Sequence, residues 1–294
     1  MATGLDDDLS DLDSIIGDDD LDLSFSDDHA SIEVDIDSNF NPIKSNNFSV
    51  LHVNVWSILA EGRLEYVTRL CNKYKLDVLV ISETKLDDTI PDNLLSIHGY
   101  HEPIRRDRNR NRGGVMCYIA SHLPYKQIKA NQSEYFEHIW VDVITNDNRK
   151  YCINALYRPP NESAADHELF LDVAGDILDK IDDYPAYTHV LTGDLNFGNS
   201  YCKTPYLPPK PLDSEACDLF AAHGLSQLID IPTRYALNSI SLIDLIFVSR
   251  PDDVVSHGTI AGPADHEAVF VSFSTISARP KPKTVNYMIT IKQI

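Results

Sequence analysis

The sequence predicts an α/β body built on two mixed β-sheets. Its opening runs strand, helix, strand, so the first two strands should lie parallel. Strand-like segments then outnumber helical ones, and the helical ones lie far apart in the chain. That spacing argues against a regular doubly wound sheet. At 294 residues the chain has room for one large single-core domain, or at most two small ones.

The elements follow in order. Residues 1–40 carry 14 acidic residues and no Lys or Arg. Like-charge repulsion and few large apolar groups predict a disordered acidic tail over 1–45. From Phe48 to Trp56 the residues alternate and are β-rich, which predicts a strand. Leu64, Val67, Leu70, Cys71 and Tyr74 recur at helical spacing. Asp77–Ser82 is a short apolar run, read as a buried strand. Strands are expected at Gly114–Ala120, His138–Thr145 and Tyr151–Tyr157. A helix over Ala165–Ile181 carries Leu169, Phe170, Val173, Ile177 and Leu178 on one face. His189–Thr192 forms a strand ending in Gly193-Asp194, and Glu215–His223 a helix closing at Gly224. Leu242–Val248 and Ala268–Phe273 are expected as the last strands. The folded domain is placed at 46–276. Residues 277–294, with Arg279-Pro-Lys-Pro-Lys283, read as a basic Pro-rich linker remnant.

The net charge of −20 belongs mostly to the tail, because residues 41–294 sum to only −6. A polyanionic partner is therefore not excluded for the body. No run of about 18 apolar residues occurs, and the N-terminus lacks the basic and apolar regions of a secretory signal. Neither a membrane span nor secretion is expected. The five cysteines are odd in number and form no C-x-x-C pair, which argues against a disulfide framework or a zinc site. The nucleus or the cytosol is the expected compartment.

Acids and amides gather where strands end. Asn54 sits within the first strand, close to its end, Glu83 follows the second, and Asp194 and Asn196 follow the His189–Thr192 strand. Asp244 interrupts an apolar run, and Asp265-His266 precedes the last strand. Taken singly, each has an ordinary reading as a turn or capping residue. An inward Asp244 flanked by Leu, Ile and Phe is harder to explain, because a buried carboxylate needs a partner. Together these residues suit a hard-metal site of oxygen ligands, with one His for acid–base work.

Six motifs occur in order: Asn54-Val-Trp-Ser57, Ser82-Glu-Thr-Lys-Leu86, Tyr157-Arg-Pro-Pro160, Gly193-Asp-Leu-Asn196, Ser241-Leu-Ile-Asp244 and Asp265-His266. This series resembles the endonuclease/exonuclease/phosphatase superfamily over about Val50 to Phe273. Within it, the pattern is most similar to the endonuclease domain of LINE-type (non-LTR) retrotransposons. Ser-Glu-Thr-Lys-Leu, Tyr-Arg-Pro-Pro, the Arg105–Gly114 stretch and Pro232-Thr-Arg234 carry that likeness. The family's reverse transcriptase domain is not in this chain. One position departs from the pattern: Ala264 stands before Asp265-His266, where the family commonly has Ser.

The resemblance implies a four-layer α-β-β-α sandwich with two packed mixed β-sheets. It also implies Mg²⁺-dependent phosphodiester hydrolysis, with Mn²⁺ as a substitute, and DNA as the partner. Glu83 would hold the metal, with Asn54 and Asp265 beside it. Asp194 would orient or deprotonate the attacking water, and Asn196 would hold the water or the phosphate. Asp244 would bond the His266 ring and favour its charged form, and His266 would stabilise the transition state. Tyr157 would line the phosphate site. Arg105, Arg106, Arg108, Arg110 and Arg112, with Thr233 and Ser241, would contact DNA. Trp56 is expected to pack rather than to stack on a base. Two other readings stay open. One is a different phosphoesterase of the superfamily, acting at abasic sites or on lipid or inositol headgroups. The other is a catalytically decayed fragment that serves as an interaction module.

Overall fold

A computed structural model describes residues 43, 47–129, 135–160, 163–182, 184–197, 211–236 and 239–274. Apart from Ile43, the expected acidic tail lies outside the described residues, as does the linker remnant over 277–294. In chain order the elements are β1 (Phe48–Asn54), α1 (Arg63–Tyr74), β2 (Val78–Ser82), β3 (Ile104–Arg106), β4 (Val115–Ile119), β5 (Tyr125–Gln127) and β6 (Glu137–Ile144). Then come β7 (Lys150–Tyr157), α2 (Ala164–Asp182), β8 (Thr188–Asp194), α3 (Pro211–Ala222) and β9 (Ser226–Gln227). The chain continues through β10 (Arg234–Ala236), β11 (Ser239–Ser241), β12 (Asp244–Val248), β13 (Val254–Ile260) and β14 (Ala268–Phe273).

Two six-stranded sheets form, in the orders β13-β14-β1-β2-β4-β3 and β5-β6-β7-β8-β12-β9, and β10 and β11 make a separate hairpin. Both large sheets are mixed. β1 runs parallel to β2, and β7 parallel to β8, while every other pairing is antiparallel. The expected parallel opening is therefore observed. The strand taken to run to Trp56 stops at Asn54. The last two strands are not adjacent in sequence as expected, because β13 lies between them. The Arg105–Gly114 stretch opens within the edge strand β3.

Period-two alternation assigns each strand two faces. On β1, Leu51 and Val53 pack with Leu79, Ile81, Met116, Tyr118 and Phe270 against Tyr66, Val67, Leu70 and Tyr74 of α1. The opposite face, with Phe48, Val50, Val78, Val80, Val271 and Phe273, meets Ile153, Ala155, Val190, Ile246 and Val248 of the second sheet. Helices α2 and α3 cover that sheet's outer side. Ile177 packs with Trp140 and Cys152, and Phe220 lies edge-on to Phe247 at 4.8 Å. The layers run helix, sheet, sheet, helices. No helix among the described residues is long and apolar enough to cross a membrane.

The space between the sheets changes character along the strands. At one end Phe48 stacks on Tyr151 with ring centroids 3.9 Å apart, and Phe273 lies 5.3 Å from the same Tyr151 ring. At the other end the same inward positions become His52 and Asn54 on β1, Ser82 on β2, Thr192 and Asp194 on β8, and Asp244 on β12. Every one of these polar side chains is buried.

Candidate active site

The polar end is assembled by strand register. Asp194 and Asp244 are direct cross-strand partners on β8 and β12, and Asn54 pairs with Ser82 on β1 and β2. Gly193 permits this packing, because a Cβ there would meet the Leu156 carbonyl oxygen at 1.6 Å. Gly262 plays the same part near His266, where a Cβ would lie 1.7 Å from the His266 carbonyl oxygen. Larger residues at either position would push apart backbone that the site needs close together.

Asn54 ties the two sheets. Its Nδ2 donates to Glu83 Oε1 at 3.1 Å and to Asp194 Oδ2 at 3.0 Å, and its Oδ1 accepts from the Trp56 amide at 3.0 Å. Tyr157 adds its hydroxyl to Glu83 Oε1 at 3.4 Å. Burial, with the Glu83 and Asp194 charges, pushes the Tyr157 phenol up, so it stays a donor.

Asp244 is anchored from behind. The Thr233 hydroxyl donates to Asp244 Oδ2 at 2.8 Å and accepts from the Asp244 amide at 3.0 Å. The same Oδ2 lies 2.9 Å from His266 Nδ1. Burial alone would favour neutral imidazole, but the Asp244 charge and hydrogen bond outweigh it, helped by Asp194 and Asp265. His266 is raised to about 9 and is cationic at neutral pH. Asp194 moves the other way from a usual carboxylate. Burial and the Asp244 and Glu83 charges push it well above the ordinary range, against the pull of His266 and Asn54. Asp194 Oδ1 and Asp244 Oδ1 are buried without hydrogen-bond partners.

Asn54, Glu83, Tyr157, Asp194, Asp244 and His266 are thus joined by direct contacts or lie within reach of one another. Asp265 sits at the rim, one third exposed. Arg234 Nε reaches its Oδ2 at 2.9 Å, so the guanidinium holds the carboxylate where the Ala264 methyl cannot. Asn196 adopts a left-handed φ of 49° and donates its Nδ2 to the Arg158 carbonyl at 2.7 Å. Thr233, expected to touch DNA, is fully buried with its hydroxyl committed to Asp244; it stands behind the site. Ser241 lies on the β10–β11 hairpin and accepts the Thr233 amide with its carbonyl.

The five arginines separate into two groups. Arg105 pairs with Asp92 at 3.1 Å and donates to the Ile90 carbonyl at 2.6 Å, and Arg108 pairs with Glu137 and the Tyr135 carbonyl. Those two brace the loop from inside. Arg110 and Arg112 are exposed, and Arg106 is half-buried on the edge strand β3.

Three features were not foreseen. His52 lies two residues before Asn54 on the same strand face, which period two alone places in the site. Its Nδ1 lies 3.7 Å from Asp244 Oδ1 and its Nε2 3.0 Å from Ser82 Oγ. Burial lowers it to about 4, although Asp244 opposes the shift, so this second histidine is neutral. Arg234 was seen only as part of a motif. Trp56, expected to pack, is 51% exposed because its φ of 47° turns it away from the strand.

The endonuclease/exonuclease/phosphatase family model matches residues 51–275. The chain belongs to that family. No curated protein gives a match. Among solved structures, the fold is similar to the AP endonuclease LMAP from Leishmania major. The TM-score is 0.64 at 15% identity, over 81% of this chain and 90% of that one. It is also similar to the endonuclease domain of TRAS1, a telomere-specific non-LTR retrotransposon, with TM-score 0.59 at 14% identity over 77% and 98%. The 3'-5' exonuclease NExo from Neisseria meningitidis gives 0.58 at 16% identity over 77% and 99%. At these identities the likeness concerns the fold: the two-sheet α/β sandwich of this family of nucleases and phosphatases.

Proposed function

We propose that the chain is a divalent-metal-dependent phosphodiester hydrolase that nicks DNA, in the manner of a LINE-type retrotransposon endonuclease. The observation that carries this reading is the Asp244–His266 pair beside Asp194. Ligand-type atoms of the three residues all lie within 4.8 Å of one another. A charged imidazole and a carboxylate of raised proton affinity there suit a phosphate and an attacking water.

The donors fit a hard cation. Asp194 Oδ1 is orphaned, and Glu83 Oε2 lies 4.0 Å from Lys85 Nζ, beyond hydrogen-bond reach. His266 is a poor ligand while protonated, and Asp244 Oδ2 already serves Thr233 and His266. Glu83 would therefore hold Mg²⁺ or Mn²⁺, with Asn54 and Asp265 beside it. The ion, when bound, polarises a phosphate oxygen and offsets developing charge. Asp194 takes the proton of the attacking water. His266, kept cationic by Asp244, stabilises the phosphorane-like transition state, and Tyr157 assists the leaving oxygen. Asn196 contacts the water or the phosphate from the rim. Arg106, Arg110 and Arg112, with Ser241 on the hairpin, meet the DNA backbone.

The test is nicking of supercoiled plasmid by the purified full chain with Mg²⁺, against an EDTA control and Asp194→Asn. Metal-dependent nicking that the variant loses is the expected result. Cleavage confined to an oligonucleotide with one abasic site would instead assign repair-type specificity. No cleavage of either substrate would overturn the reading.

A further inference from the structure

Trp56 and Lys85 flank the polar end, and the mechanism uses neither. A bulky residue at positive φ is a genuine backbone outlier. Four non-glycine residues share this conformation in the two loops that frame the site: Trp56 at 47°, Ser57 at 84°, Glu83 at 53° and Lys85 at 51°. The loops are locked to each other. The Ser57 amide donates to the Glu83 carbonyl at 2.8 Å, and the Ile58 amide to the Thr84 carbonyl at 3.1 Å. Asn54, which holds Glu83 and Asp194, also accepts the Trp56 amide. The indole is therefore registered against the carboxylates by one side chain.

This strain does not serve packing, because the Trp56 ring stays half-exposed. Lys85 Nζ lies 3.6 Å from the ring centroid and 4.0 Å from Glu83 Oε2. One face of the indole is thus capped by a cation, and the rest of the half-exposed ring stands at the edge of a site with phosphate-binding chemistry. Aromatic rings take bases by stacking without regard to sequence, since every base has a π-face.

We propose that Trp56, with Lys85 against it, is a stacking platform for an unpaired nucleobase of the strand being cut, next to the scissile phosphate. The proposal rests on the nucleic-acid reading of the site. It makes a locally opened strand, rather than a closed duplex or a headgroup phosphodiester, the substrate form that binds best.

Binding in EDTA tests it without hydrolysis. The full chain has two tryptophans, and Trp140 is buried, so emission changes on titration report Trp56. The probes are an oligothymidylate about twelve nucleotides long and a base-free abasic polymer of equal length and charge. The oligothymidylate should quench emission, and the base-free polymer should not. Read by the anisotropy of end-labelled probes, which does not need the indole, Trp56→Ala should weaken oligothymidylate binding about 5- to 150-fold, as expected when about 1–3 kcal/mol of stacking is lost. Binding of the base-free polymer should not change. Trp56→Phe should keep most of the affinity, which separates lost stacking from misfolding. Wild-type affinity in Trp56→Ala, or equal quenching by both polymers, would overturn the platform. Lost base-dependent quenching with intact plasmid nicking removes the platform alone. Base-dependent quenching without nicking removes the nuclease reading alone.

Discussion

The two ends of the space between the sheets are built from the same strands and the same pleat, yet they do opposite things. At one end Phe48, Tyr151 and Phe273 press rings together. Such burial stabilises, and aromatic pairing adds about 0.5–1.5 kcal/mol beyond the area term. At the other end Asn54, Asp194, Asp244 and His266 hold charge out of water, and two carboxylate oxygens lack partners. That arrangement costs stability and leaves groups poised for chemistry. The contrast teaches that one end carries the fold and the other spends part of that stability on the site.

Substitutions at the two ends should therefore separate activity from stability. The largest effect should come from Asp194→Asn, with nicking reduced about 100- to 10,000-fold in single-turnover assays. Its thermal midpoint should stay level or rise, because one of several crowded charges is gone. His266→Ala should lose activity in the same range. At the aromatic end the reverse should hold. Phe48→Ala should lower unfolding free energy by about 3–5 kcal/mol in urea titrations, while nicking per folded molecule is retained. If Phe48→Ala lost activity without stability, the contrast would be broken.

The polar end should also show in the pH dependence of stability. His52 is lowered from 6.5 to about 4, so the unfolded chain takes up its proton first. Stability should fall as pH drops from about 6.5 to about 4, by roughly 2–3 kcal/mol from this group. His52→Gln should flatten that limb in denaturant titrations. His266, raised to about 9, has the opposite sign. Its contribution is present in full below about 6.5 and is lost as pH rises through about 9. The smallest effect concerns the arginines. Arg110→Ala with Arg112→Ala should flatten the salt dependence of DNA binding by roughly 0.9 per lost contact on the log–log slope. Arg105→Ala should leave the slope unchanged and loosen the loop instead.

What the sequence revealed follows the same physics. Central strands β1, β2, β4, β6, β7, β8, β12 and β14 were legible because burial on both faces forces apolar runs or clean alternation. The strands that were missed include both edges of each large sheet: β3 and β13 on one, β5 and β9 on the other. An edge strand has less to bury. β13 alternates half-buried and exposed residues through His257 and Gly258, and β5 is exposed throughout. In the site, motif residues stood out because polar groups at the ends of apolar strands are anomalous. His52 did not, since a histidine inside an alternating strand reads as an ordinary polar position. The division of labour among the arginines depends on Asp92 and Glu137, which nothing in the local sequence pairs with them.

The pairing of β1 with β14 has a temporal consequence. Phe48 and Phe273 are cross-strand neighbours, so the first sheet joins the earliest of the described strands to the last of them. During synthesis β1 must wait for nearly the whole domain before its second neighbour exists, and closing so long a loop makes folding slow. The site draws on both ends of that interval, with Asn54 made early and His266 late. A nascent chain should acquire α1 packed on β1 and β2 well before it acquires any capacity to hold a phosphate. A chain cut short before β14 should forfeit the closure of the first sheet, and with it the register that brings Asn54 to Asp194.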